Sequence, residues 1–331
     1  MKKAPFIACI LFLLLGAFPS STLAARGTPD SAHFGYGLRL DVNGVRVEEA
    51  LLRAAQMELD WVALDFDWNA TWPDPTHWAS DTPFGRAARL ADTLGLSLVF
   101  SIQNPPDWAM TPYGPHPELT AALLCDLKQL FPNLKAVELY PRANTRAGWG
   151  AAPDPIRYAL LLQAVRTRLE NRQISLYLLA GGLTNQLLLP EDQPDTLFLQ
   201  GLYDAGARPE IVSLRLEGLT GMPGDEPSAV NTLRHFETVR SVMNANGQSQ
   251  ALVWVTGFGL PDELAASTSQ KQSEWLTQSY RLMRSRLYFG ASFYTCYNVL
   301  PAATSDQACL IRQDGSKHPF LTQLGSLIDE N

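Results

Sequence analysis

From Phe34 onward the chain repeats one pattern: a short run of Val, Ile, Leu and aromatic residues, then a longer segment whose apolar positions recur with a helical period. Short runs with little internal alternation are the mark of strands buried on both faces, as in a parallel sheet. They predict strands over 34–40, 61–68, 96–102, 136–141, 174–180, 211–217, 251–258 and 290–297. Between them lie the helical patterns VEEALLRAAQMEL, FGRAARLADTLG, PELTAALLCDLKQLF, DPIRYALLLQAVRTRLENR, PDTLFLQGLYDAG, NTLRHFETVRSVMNANG and QSEWLTQSYRLMRSRLYFG, and HPFLTQLGSLIDEN closes the chain. Regular strand–helix alternation builds a parallel sheet, and eight of each is the count of an α/β fold of the (β/α)8 TIM barrel type, as a single domain over 25–331. An open doubly wound sheet has the same alternation. The nucleotide-binding version of that alternative lacks support, because no GxGxxG turn and no phosphate-binding loop follows a strand.

The loops are asymmetric. NATWPDPTHWASDTP follows the second strand and QNPPDWAMTPYGPHPE the third, whereas the reverse connections are shorter. In a barrel the long loops gather at the C-terminal face, where ligands bind. Trp68, Trp72, Trp78, Trp108 and Trp149 fall on that side, with Tyr140, Tyr294 and Tyr297 on the fourth and eighth strands. Flat rings flanked by polar groups such as Asp67, Asn104 and Asn144 suit a sugar, whose C–H face is apolar and whose rim carries hydroxyls. The same tryptophans serve equally well to pack loops onto a barrel, and Asn is also a turn former. Trp61, Trp254 and Trp275 are expected in the core or against helices.

The first residues, MKKAPFIACILFLLLGAFPSSTLAARG, combine two lysines, an apolar run and small residues around Ala24. They predict a cleaved signal peptide over 1–24 and a secreted or extracytoplasmic chain, with an uncleaved anchor as the alternative. No later segment has the ~20 uninterrupted apolar residues of a membrane span. With Cys9 in the leader, Cys125, Cys296 and Cys309 remain. Cys296 and Cys309 flank a short loop and are the candidate bridge, and Cys125 sits in an apolar helical pattern as a buried thiol. The 331 residues are 46% hydrophobic and 18% charged with net charge −7, which describes a globular domain without the basic stripe that nucleic acid demands. His33, His77, His116, His235 and His318 show no metal-binding spacing, and neither GxSxG nor CxxC occurs, so no metal and no cofactor is expected. DVNG at Asp41–Gly44 reads as a turn.

The segment AVELYPRANTRAGWGAAPDPIRYALLLQAVRTRLE resembles the fourth-strand region of clan A glycoside hydrolases of the cellulase-like and xylosidase-like kind. Their pattern is Glu-Ile-Trp-Asn-Glu-Pro-Asn, a short loop, Trp-Gly, and an Asp-Pro that opens a helix. NPPDWA, FLQGLYDAGA, SVMNANG, WVTGFG and DGSKHP follow in the order of that family across nearly the whole chain. The resemblance implies a TIM barrel, a carbohydrate ligand at its C-terminal mouth and two catalytic glutamates. On that alignment the acid/base becomes Arg142, the Asn before it becomes Pro141, and the nucleophile of strand seven becomes Gly257.

Retaining hydrolysis needs a carboxylate to attack the anomeric carbon and a carboxylic acid about 5–5.5 Å away to protonate the leaving oxygen. Glycine has no side chain to attack with, and an arginine stays charged and repels an oxocarbenium-like centre. The expectation is an exported pseudoenzyme that binds carbohydrate. A second reading keeps an active O-glycosyl hydrolase with relocated carboxylates, Glu217 or Asp67, and a third makes the chain a structural or partner-binding envelope protein. Asp65, Asp107 and Glu138 are the other acids near strand ends. Alternation turns Glu138 into the barrel, where it needs a cation such as Arg39 or Arg215, and Glu217 is within reach of Arg142.

Overall fold

The computed structural model describes residues 26–76, 81–227, 231–303 and 305–330, so the leader expected over 1–24 lies outside the described residues, as do His77 and Trp78. The eight apolar runs form β1 Gly35–Leu40, β2 Trp61–Asp67, β3 Leu98–Gln103, β4 Leu134–Leu139, β5 Tyr177–Thr184, β6 Ile211–Leu216, β7 Leu252–Phe258 and β8 Phe289–Tyr294. Each pairs in parallel with its sequence neighbours, and β1 also pairs with β8, which closes the barrel. The expected TIM barrel is the observed fold, in one domain. β4 ends before Tyr140 because that residue takes a left-handed φ of 51°, and β5 runs beyond its apolar stretch through Gly181 and Gly182, both at positive φ.

The helices that follow the strands are α1 Val47–Gln56, α2 Pro83–Thr93, α3 Pro117–Leu130, α4 Pro155–Asn171, α5 Asp195–Asp204, α6 His235–Ala245, α7 Ser269–Arg284 and α8 Phe320–Asp329. Local chemistry sets their starts. Thr82 caps α2 at Gly85 N–H, Asp154 caps α4 at Ile156 and Arg157, and Thr268 caps α7 one turn earlier than the apolar pattern suggested. α6 begins one turn later than its pattern, since the Asn231 carbonyl accepts from Thr220 N–H instead of from a helical turn.

Apolar packing divides in two. Outward strand residues meet the helices, and inside the barrel Trp61, Val99, Leu179, Ile211, Trp254 and Phe293 fill the lower half. β1 admits those rings by having no side chains there: a Cβ on Gly35 would stand 2.5 Å from the Trp61 indole, and one on Gly37 2.4 Å from Phe293. The chain before β1 closes the floor, with Trp61 Nε1 donating to Arg26 O at 2.6 Å and Trp254 Nε1 to Gly27 O at 2.9 Å. Trp275 is buried and donates to Gly221 O. Among the described residues no helix is long and apolar enough to cross a membrane. Cys296 and Cys309 form a disulfide, while Cys125 is free and only half-buried, because its position on α3 turns partly away from the barrel.

The C-terminal helix is fastened by a neutral histidine. His318 is buried, with Nε2 2.9 Å from Gln272 Oε1 on α7 and Nδ1 accepting from Phe320 N–H at the head of α8. Burial, helped by the Arg312 charge, pushes its pKa down to about 4. Below about pH 6.5 the unfolded chain takes up a proton that the folded chain refuses until about pH 4. Stability should therefore fall as the pH drops through that window, and His318→Gln, with no proton to gain there, should flatten this limb in urea titrations run from pH 7 to pH 4.5.

Candidate functional site at the mouth of the barrel

Above the apolar layers the inward positions become ionic. The same alternation that aims Trp61 and Ala63 inward aims Asp65 there, and β1, β3, β4, β6 and β7 contribute Arg39, Ser101, Glu138, Arg215 and Thr256. Glu138 has no exposed surface. Its Oε2 accepts from Ser101 Oγ at 2.6 Å and Arg215 Nη2 at 2.8 Å, with Arg39 Nη2 at 3.5 Å, and Oε1 accepts from Thr256 Oγ1. Arg39 reaches Asp65 Oδ1 at 2.5 Å with Nη1 and the Thr256 carbonyl with Nε and Nη2. Arg215 Nη2 touches the same Asp65 oxygen at 3.2 Å.

Burial alone would raise the Glu138 carboxyl, but Arg215, Arg39 and the two hydroxyls outweigh it and hold the group below the usual glutamate value. Asp65 is held down in the same way by Arg39 and Arg215. Burial would lower both guanidiniums. Glu138 and Asp65 overcome this at Arg215, which is raised, whereas Arg39, also repelled by Arg215, stays lowered. Both expected partners of Glu138, Arg39 and Arg215, are thus present at once, and they form a structural ion cluster around a carboxylate with no exposed surface.

The rim is built on strained backbone. Tyr140 and Arg142 have φ of 51° and 61°, a region unfavourable to side chains with a Cβ. The turn is held by Arg142 N–H to Gly182 O at 2.8 Å and Ala143 N–H to Gly181 O at 3.1 Å. Gly148 lies so close beneath it that a Cβ would stand 2.2 Å from the Arg142 carbonyl oxygen. Arg142 Nε donates to both oxygens of Glu217 at 3.1 Å, and Nη2 to Oε1. On β7 a bulge between Val255 and Gly257 sets Gly257 opposite Arg215, and a Cβ there would point at Arg215 Cγ, 3.7 Å away, and Thr295 Cγ2, 3.2 Å away. Asp67 caps the one-turn helix Trp68–Thr71 through Ala70 N–H and accepts from Asn104 Nδ2 with both oxygens at 3.0 Å.

Burial removes five of the expected sugar-facing residues from the surface. Tyr140 is fully buried and bonds Thr120 Oγ1, because its left-handed backbone turns the ring outward against α3. Asn144 directs its amide to the Thr184 and Gln193 carbonyls, Trp149 donates to Tyr113 O, and Tyr294 donates to Ala308 O. Trp68 is buried edge-on to Trp108. Tyr297 is buried on Ala50 O. Asp67, Asn104 and half-exposed Trp108, which donates to Pro73 O, stay together at the rim, and Trp72 is half-buried. Asp107 is exposed on the same loop. His235 pairs with Asp195 at 2.6 Å between the starts of α5 and α6. Among the described residues no three His, Cys, Asp or Glu side chains come together as a metal site. Sequence reasoning missed Ser101 and Thr256. Ser101 is the register partner of Glu138, and Thr256 lies two positions beyond inward-facing Trp254, so inward alternation on β3 and β7 would have exposed both.

No protein-family model matches the chain, and no curated protein does. Solved structures do. A family 39 glycoside hydrolase from Bacteroides cellulosilyticus WH2 superposes with TM-score 0.64 at 16% identity, over 88% of this chain and 62% of that one. The family 39 enzyme of Xanthomonas axonopodis pv. citri gives 0.65 at 13%, over 93% and 68%. A family 5, subfamily 18 structure from Streptomyces cattleya in complex with GlcNAc gives 0.67 at 13%, over 90% and 80%. The fold is that of the clan A glycoside hydrolases. This chain spans about three fifths of the length of the first of these structures.

The ion cluster should dominate acid behaviour. Because the folded pKa of Glu138 lies below its ordinary value, its contribution is complete above about pH 4.5 and is lost as the pH falls through the lower folded value. Glu138→Ala, which leaves two buried guanidiniums without it, should destabilise by about 3–5 kcal/mol in urea unfolding at pH 7. Glu138→Gln should flatten the dependence of stability on pH below about 4.5.

Proposed function

We propose that this protein is an exported barrel of glycoside hydrolase ancestry that binds carbohydrate at its C-terminal mouth and no longer hydrolyses it. One observation carries the reading: the four carboxylates at the inward strand ends, Glu138, Asp65, Asp67 and Glu217, are each engaged by a cation or an amide. Glu217 is chelated by Arg142, Glu138 and Asp65 by Arg39 and Arg215, and Asp67 by Asn104 and a helix N-terminus. Glu138 moreover has no exposed surface with which to meet a substrate. Retaining chemistry needs one unencumbered nucleophilic carboxylate and one proton-donating acid facing each other across the anomeric carbon. On the family alignment those two posts fall at Gly257 and Arg142. Trp108, Asp67 and Asn104 supply an aromatic face beside polar groups at the rim, a combination suited to sugar hydroxyls.

Export is supported by the lysine-led apolar leader in the sequence and by the disulfide Cys296–Cys309, a bond that persists in oxidising compartments. The second reading, relocated catalysis by Glu217 or Asp67, would have to break the Arg142 chelate or the Asn104 contact first. The third, an envelope protein with no ligand at the mouth, is separated from the first by ligand binding alone.

The wild-type protein should release no aryl alcohol from a panel of aryl glycosides, while Trp108→Ala should weaken its binding to an oligosaccharide that it retains. Turnover that Glu217→Gln or Asp67→Asn abolishes would overturn the reading. The triple variant Arg142→Glu, Pro141→Asn, Gly257→Glu should regain measurable hydrolysis of an activated aryl glycoside. Position 257 lies outside the positive-φ region, and a Cβ there asks the Thr295 methyl at 3.2 Å to give by a few tenths of an ångström, so the nucleophile can be rebuilt on the existing strand once that contact shifts.

A further inference from the structure

A cavity of about 350 Å³ opens at the rim where β1, β2 and β3 end, walled on its outer side by the start of α2. Neither Arg142, Glu217 nor Gly257 lines it. We propose that this pocket, set to one side of the posts of the ancestral chemistry, holds a single uncharged sugar ring and rejects rings bearing carboxylate or sulfate. The inference rests on the carbohydrate-binding reading and adds to it a place and a charge specificity.

Three properties of the pocket carry it. Its volume is at the low end of the ~300–1,000 Å³ typical of small-ligand sites, room for one ring and not for a length of polymer. Its lining is of two kinds, apolar in Val42, Pro83 and Phe84 and polar in Asp65, Asp67 and Gln103. A pyranose has the same division between its C–H face and its hydroxyl edge. The polar wall also has hydrogen-bonding capacity to give. Asp65 engages the two arginines through Oδ1, and among the described residues no donor is recorded at Oδ2, although the side chain is 36% exposed. Gln103, half-buried at the end of β3, makes no recorded side-chain hydrogen bond among the described residues. A carboxylate oxygen that accepts and an amide that both donates and accepts suit adjacent hydroxyls, one giving its proton to Asp65 and the other accepting from Gln103.

The charge specificity follows from the neighbours. Asp41, Asp65 and Asp67 all line the cavity. The arginines balance Asp65, but Asp41 and Asp67 are satisfied by neutral donors, Asn43 N–H for the first and Ala70 N–H with Asn104 for the second. Their negative field therefore falls on whatever enters, and a uronate or sulfate group would meet it without a counter-charge.

The test is calorimetric titration of the full mature protein with cellotetraose, xylotetraose, mannotetraose and tetragalacturonate. Two variants probe the place. Gln103→Ala removes the amide, and Ala70→Trp fills the pocket from an exposed lining position, with thermal melts confirming that both fold. At least one neutral tetrasaccharide should bind, Gln103→Ala should weaken it about tenfold, Ala70→Trp should abolish it, and tetragalacturonate should not bind. Neutral binding that survives Ala70→Trp would overturn the assigned place and leave the carbohydrate reading standing. Tetragalacturonate binding as tight as the neutral sugars would overturn the charge specificity. No binding by any of the four at millimolar concentration would overturn both.

Discussion

A carboxylate without exposed surface, Glu138, organises the upper half of this barrel. Removing such a group from water is unfavourable unless charges and donors surround it. Here they come from β1, β3, β6 and β7 as Arg39, Ser101, Arg215 and Thr256. One side chain on β4 thus fixes the positions of four other strands at the level where a barrel enzyme would do its chemistry. The arrangement also fixes the arginines, since each is tied to Glu138 and Asp65 together and neither is free to turn toward a ligand without leaving a buried anion behind.

That constraint reaches the rim. Arg142 adds a third guanidinium to the same mouth, close enough to act on Asp65 and Arg39 through space, and it takes Glu217 for itself. Three arginines and three carboxylates, Asp65, Glu138 and Glu217, satisfy one another. On the proposed reading, a cluster neutralised from within has little field left to stabilise a developing positive charge on a sugar, which is what a glycosidase must do. It can still present neutral hydrogen-bonding edges and an aromatic ring, which is what recognition of a sugar requires. The unneutralised acids, Asp41 and Asp67, stand apart from this cluster beside the β1–β3 cavity.

Much of this was legible in the sequence, and the limits have physical causes. The strands were readable because a sheet buried on both faces needs continuous apolar runs, and Glu138 stood out as an acid within one, with Arg39 and Arg215 inward on theirs. The Arg142–Glu217 pair was readable because both follow strand ends that face one mouth. What failed was side-chain direction beyond the strands. Tyr140, Asn144 and Trp149 follow β4 and so would be expected at the ligand, but the positive φ at Tyr140 and Arg142 breaks the alternation, and all three are buried. Tyr294 belongs to β8, where its alternation sends it outward against Phe258 and Tyr280. Strand alternation carries no information past the residue where the backbone leaves the strand.

The glycines distinguish a structural requirement from a lost one. Gly35, Gly37 and Gly148 are demanded by their surroundings, since a Cβ at any of them would stand within 2.5 Å of a ring or a carbonyl. Gly257 is under no such demand. Its φ lies outside the left-handed region, and the closest atoms a Cβ would meet are a threonine methyl at 3.2 Å and the flexible stem of Arg215 at 3.7 Å. A Cβ there would only need the Thr295 methyl to give by a few tenths of an ångström, so backbone strain does not account for a glycine beside Arg215. On the proposed reading the explanation is chemical: a glutamate there would be a fourth carboxylate in a cluster whose three arginines are already paired, and once hydrolysis is no longer selected, no force in the structure retains it.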